Sequence, residues 1–207
     1  FLNFAIQPYL ASNLIGELFE QTSSQHRLLV LDMGYPSPTT VKFFNQYKCR
    51  LNFLDLINPE FLSACPTEAG HSVLVDYFRA GLDIQPEVII DICLFWDFVN
   101  YLDRRSLSAF MQALAPHINS QSRGYCLGVL SARNQLPYCQ YGIESRASLS
   151  QIPLAGHRSQ LYTHTQRDLS ELLSDFEVDK SRLMPDGRVE YLLAKNVLPR
   201  QSKPVIF

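Results

Sequence analysis

The chain has 207 residues, a formal net charge of −2 and a pI of about 6.2, so no basic excess marks a nucleic-acid surface. It is 46% hydrophobic, 18% charged and 12% aromatic, which fits a single domain with a large core or with a surface partly covered by a partner. No apolar run reaches the roughly 18 residues of a membrane-spanning helix.

The first predicted element is a helix over residues 9–21, with Leu10, Leu14, Ile15, Leu18 and Phe19 on one stripe and Ser12 or Asn13 as cap. A continuous apolar run at 28–31 predicts a strand buried on both faces, as in a parallel sheet. A short helix over 39–47 and a second strand over 50–56 follow. Residues 58–87 are the least legible. There V-L-V-D-Y-F reads as a helix over 71–82, with Leu74, Tyr77, Phe78 and Leu82 on one face, or as a strand ending near Asp76. V-I-I-D-I-C-L-F at 88–95 predicts another strand.

Asp103 is placed to cap a helix that runs to Leu114 and ends before Pro116. A strand over 124–130 leads into a lid-like loop at 131–156, rich in Pro, Tyr, Ser and Gly. A helix over 167–173 precedes two strands, 176–184 and 188–195, around Pro185-Asp186-Gly187. This order predicts a doubly wound, mostly parallel α/β sheet closed by an antiparallel hairpin. Residues 1–198 form one expected domain, and 199–207 a tail.

Five cysteines (Cys49, Cys65, Cys93, Cys126 and Cys139) are scattered without a C-x-x-C pair. That usage suits reduced thiols and a cytoplasmic address, and no spacing supports a metal site. No secretory leader is expected.

The order of elements resembles the class I S-adenosylmethionine-dependent methyltransferases. The likeness rests on L-L-V-L-D-M-G at 28–34, on Asp55 at the end of the second strand, on I-I-D-I-C-L-F-W-D at 89–97, and on the late hairpin. It implies a seven-stranded-type sheet and S-adenosylmethionine as cofactor. It further implies a cofactor site built from Asp32, Gly34, Tyr35, Asp55, Asp76 and Phe95. Asp55 would take the ribose hydroxyls, Asp32 the loop and the cofactor's amino end, and Asp76, only if V-L-V-D is a strand, the adenine amino group. Trp96 and Asp97 follow the fourth strand, where the family faces the reacting methyl, and are the catalytic candidates. Asn100 and Tyr101 lie one turn further on. The acceptor is a small molecule or a protein.

Blander alternatives stand beside these. Asp32 reads as a turn residue, Asp55 as a helix cap before Pro59, and W-D-F-V-N-Y-L as the inward-packing start of a helix. Pro36 and Pro38 replace the second and third glycines of the family loop. Proline offers no N–H and restricts Tyr35 and Ser37 before it. Tyr35 also directs a large ring toward the methionine end. These departures, and the absence of an N-P-P-Y motif, leave a second function open. That function is a methyltransferase-fold protein without catalysis, acting as an interaction or scaffold subunit through a protein partner or self-association. A dinucleotide oxidoreductase is opposed by the lack of G-x-G-x-x-G. His157 and His164 flank L-Y-T in a segment placed to fold over the pocket. Tyr138, Tyr141 and Arg146 lie in the expected lid, which reads equally as a docking surface.

Overall fold

The apolar runs form the centre of the sheet. In the computed structural model, which describes residues 8–20, 27–130, 138–155, 160–173 and 175–195, β2 (Leu28–Asp32), β4 (Ile92–Trp96) and β5 (Arg123–Val129) are flanked by β3 (Cys49–Phe53) on one side. On the other side lie β9 (Arg188–Lys195) and β8 (Phe176–Leu183), giving the order β3-β2-β4-β5-β9-β8. The pairs β2–β3, β2–β4 and β4–β5 are parallel, while β9 is antiparallel to both β5 and β8. The hairpin therefore reverses the chain once, and β8 runs again with the parallel strands.

Side chains on successive residues of β4 point to opposite faces. Phe95 faces a core with α3 (His71–Leu82), α4 (Arg104–Leu114) and α5 (Gln166–Leu172), where its ring meets Phe110 at 6.1 Å and Phe176 at 6.0 Å. Ile92, Leu94 and Trp96 face the other core, with α1 (Pro38–Phe44), Phe19, Tyr125 and Tyr141. Two helix starts match their sequence signals. The Asp103 carboxylate accepts from Ser106 N at 2.7 Å, and Thr165 forms a capping box with Asp168.

Three expectations are corrected. The helix over 9–21 is instead a short strand, β1 (Tyr9–Ala11), followed by one 3₁₀ turn at Ile15–Phe19. The apolar stripe is buried as its spacing implies, but β1 pairs with β7 (Ser148–Pro153), which no local pattern encodes. The loop over 131–156 contains β6 (Cys139–Ser145) and β7, which with β1 make a second, antiparallel sheet in the order β1-β7-β6. Its strands are rich in Ser, Gln and Tyr rather than β-branched residues, so their alternation was masked. Residues 71–82 are helical, so the main sheet has six described strands rather than seven, and the strand-end role of Asp76 is removed. The tail at 199–207 and His157 lie outside the described residues.

Candidate functional site

In an open parallel sheet, ligands bind beyond the carboxyl ends of the strands where the order reverses. Here the ends of β2, β3 and β4 are tied by backbone bonds: Leu54 N to Asp32 O at 2.8 Å, Leu56 N to Met33 O at 2.9 Å, and Met33 N to Leu94 O at 3.0 Å. Each of the three ends carries a carboxylate: Asp32, Asp55 and Asp97.

Asp32 is fully buried. Its Oδ1 accepts from Gly34 N at 2.8 Å and from the Trp96 indole Nε1 at 2.6 Å. Its Oδ2 is buried with no hydrogen-bond partner among the described residues. Burial pushes its pKa up to about 7, against the lowering effect of those two donors. Gly34 packs closely here: a Cβ would lie 3.0 Å from Trp96 Cδ1 and 3.2 Å from Asp32 Oδ1, so the indole would have to give by a few tenths of an ångström.

Asp55 has a φ of 54°, in the left-handed region that non-glycine residues rarely hold. Its Oδ2 accepts from Asn58 Nδ2 at 3.3 Å, and its Oδ1 is buried without a hydrogen-bond partner among the described residues. Burial raises its pKa, partly offset by Asn58. The cap of α2 (Pro59–Ala64) is Asn58, which accepts from Glu60 N at 2.8 Å, so Asp55 is not the helix cap.

Trp96 is buried, with a φ of 50°, and its indole stacks on Tyr141 at 5.7 Å. Asp97 is also buried, and its Oδ2 accepts from Tyr101 Oη at 3.0 Å and Tyr141 Oη at 3.3 Å. Tyr141 in turn accepts from Arg188 Nη1 at 2.9 Å, while Arg188 also donates to Gln151 at 3.1 Å and pairs with Asp186. Sequence reasoning missed Arg188 and Gln151. R-V-E-Y looks like an ordinary alternating strand, and nothing local marks Arg188 as buried.

The Y-P-S-P segment is held from outside by the second sheet. Pro38 occupies the first turn of α1, where a missing N–H costs nothing. Pro36 O accepts from Gln140 Nε2 at 2.5 Å, Thr39 and Ser150 share a hydrogen bond at 2.7 Å, and Ile143 N donates to Thr40 Oγ1 at 3.1 Å. The hydroxyls of Tyr35 and Tyr138 meet at 2.5 Å. The pKa of Tyr138 is raised by burial, then by Tyr35, and further by the charges of Asp55 and Asp97.

The structure thus brings together Asp32, Gly34, Tyr35, Asp55, Trp96 and Asp97. Two candidates fall elsewhere. Phe95 is buried on the opposite face, and Asp76 is on the outside of α3, paired with Arg79 at 2.5 Å. His164 is buried against Leu102 O at 2.9 Å, and Arg146 lies over Phe19 and donates to Tyr47. Among the described residues no group of three metal-ligating side chains occurs, and no helix is long and apolar enough to cross a membrane.

No protein-family model matches the chain, and no curated protein sequence does. Solved structures do. Burkholderia thailandensis 1,6-didemethyltoxoflavin-N1-methyltransferase, with bound 1,6-didemethyltoxoflavin and S-adenosylhomocysteine, aligns over 83% of this chain and 72% of its own, at 16% identity and a TM-score of 0.49. The glycopeptide N-methyltransferase MtfA aligns over 83% and 91%, at 11% identity and a TM-score of 0.47. LepI, in a complex with S-adenosylmethionine, aligns over 88% of this chain at 14% identity and a TM-score of 0.51. The chain's fold is similar to that of LepI. It spans 46% of LepI. In an open α/β sheet of this kind, the carboxylate-lined strand ends are the position where a ligand is expected.

Proposed function

We propose that the chain binds S-adenosylmethionine at the ends of β2, β3 and β4 and transfers its methyl group to a small-molecule or protein acceptor. The observation that carries this is the Asp32 and Asp55 pair, each with a buried oxygen left without a hydrogen-bond partner among the described residues. Such atoms are costly to bury unless something donates to them. Carboxylates repel a phosphate-bearing ligand but match one that offers a ribose diol, an ammonium and a sulfonium. Among the described residues three non-glycine residues have positive φ, and two of them, Asp55 and Trp96, stand at these strand ends. Strain of this kind clusters where a chain holds a ligand.

When bound, the cofactor supplies an electrophilic methyl group for in-line displacement, and positioning is the main catalytic demand. Asp55 would hold the ribose hydroxyls. Tyr35 and Tyr138, whose hydroxyls are hydrogen-bonded to each other, would cover the bound ligand and exclude water. Asp97, oriented by Tyr101 and Tyr141, would accept a hydrogen bond from the acceptor and take its proton where the nucleophile must lose one. Five free cysteines accord with a reducing, cytoplasmic setting.

One observation favours a second function, an interaction subunit without catalysis: the Trp96 indole fills the space beside Gly34. Thermal unfolding with and without ligand separates the two. S-adenosylmethionine at 100 times its Kd should add about 2.7 kcal/mol of stability. That gain should vanish in Asp55→Ala. No shift at millimolar ligand rejects the enzyme and leaves the interaction subunit.

A further inference from the structure

Trp96 is the only tryptophan in the chain. Its left-handed φ of 50° is a conformation that a bulky residue holds only when its surroundings over-determine it. Here they do. The indole Nε1 donates to Asp32 Oδ1 at 2.6 Å, the ring stacks on Tyr141 with planes 17° apart, and the indole edge lies against Gly34. The chain thereby gives its own neutral N–H to a buried carboxylate whose other oxygen has no hydrogen-bond partner among the described residues. Asp55, just beyond the end of the neighbouring strand β3, accepts from Asn58 Nδ2 at a longer 3.3 Å and keeps its other, buried oxygen without a hydrogen-bond partner among those residues.

We infer that Trp96 is a displaceable internal plug, occupying the half of the site beside Gly34 and standing in for the amino-acid end of the ligand at Asp32. This rests on the S-adenosylmethionine assignment above and adds a selection rule to it. The nucleoside end reaches Asp55 with the indole in place. The amino-acid end reaches Asp32 only after the indole leaves, and its ammonium then replaces a neutral donor with a charged one. Leaving also releases the left-handed backbone of Trp96. The resident indole therefore weakens S-adenosylmethionine binding and leaves adenosine binding untouched.

Calorimetry with adenosine and with S-adenosylmethionine, alongside Trp96 emission, tests this. In the wild-type chain adenosine should bind without moving the emission, whereas S-adenosylmethionine should shift it to longer wavelength as the indole leaves its apolar setting. Trp96→Phe keeps a ring but loses the bond to Asp32. It should bind S-adenosylmethionine at least about tenfold tighter, equivalent to about 1.4 kcal/mol, with adenosine affinity within about twofold. Trp96→Ala, checked for folding by circular dichroism, should tighten it further.

The inference is overturned by S-adenosylmethionine binding that leaves the emission unmoved, by equal affinities in wild type and Trp96→Phe, or by an equal gain for adenosine. Failure of both ligands to bind wild type and variants alike overturns the cofactor assignment itself.

Discussion

The Ser12 hydroxyl donates to the Glu190 carboxylate at 2.6 Å, joining residues 178 positions apart. Glu190 also accepts from Asn13 N at 2.8 Å and Tyr125 Oη at 3.0 Å, and it is fully buried. Three donors thus converge on one carboxylate and anchor β1 and the first turn to β9. Glu190→Ala strands those donors and should cost roughly 3 kcal/mol or more. Urea unfolding measures it, and a loss below about 1 kcal/mol would show that water replaces the carboxylate without penalty.

Asp32 gives the protein a pH dependence of defined sign. Its folded pKa of about 7 lies above its ordinary value of 3.8, so the folded state retains the proton more readily than the unfolded chain. The associated stability is complete below pH 3.8 and is lost as pH rises through about 7. Asp32→Asn keeps an acceptor for Gly34 and Trp96 but cannot ionise. The variant should therefore gain on wild type as pH rises from 5 to 8, by at least about 1 kcal/mol at the upper end. Urea midpoints that stay parallel across this range would contradict the assignment.

Gly142 sits where β6 crosses the loop after β2. A Cβ there would run into the Thr39 and Ser37 hydroxyls and lie 2.8 Å from Ser150 Oγ. Gly142→Ala should cost about 1–3 kcal/mol. It should also speed hydrogen exchange in β6 and β7 more than in β2 and β4, because the crowding is confined to the contact between the small sheet and the loop. Uniform exchange throughout the chain would refute that localisation.

Tyr141 bridges Asp97 and Arg188, and Arg188 is only 3% exposed. Tyr141→Phe retains the stack on Trp96 but removes the hydroxyl between the two charges. The expected loss is about 1–3 kcal/mol, read from the urea midpoint. Unchanged stability would mean that a water takes the hydroxyl's place.

Asp76 provides the contrasting case. Its side chain is 69% exposed and meets only Arg79 in the described contacts. Asp76→Ala should change stability by less than about 0.5 kcal/mol and leave S-adenosylmethionine binding untouched. Weakened binding in a calorimetric titration would return Asp76 to the site.

The alternation of apolar runs and amphipathic stretches was enough to read the order of β2 to β5, the cap at Asp103, and the closing hairpin. Those features depend on neighbours within a few residues: period, burial of both faces, and backbone N–H groups needing an acceptor. The positions of Asp32, Gly34, Asp55, Trp96 and Asp97 at adjoining strand ends also followed from where each apolar run stops. What the tertiary structure alone decided depends on partners far away in sequence. β1 is a strand because β7 offers it an edge, although its apolar stripe has helical spacing. Arg188 and Glu190 are buried because Tyr141, Gln151, Ser12 and Tyr125 satisfy them. V-L-D-M-G-Y-P-S-P reads as a degraded glycine loop by sequence. Its space beside Gly34 is filled by a tryptophan 62 positions on, a contact that exists only once β2 and β4 lie side by side.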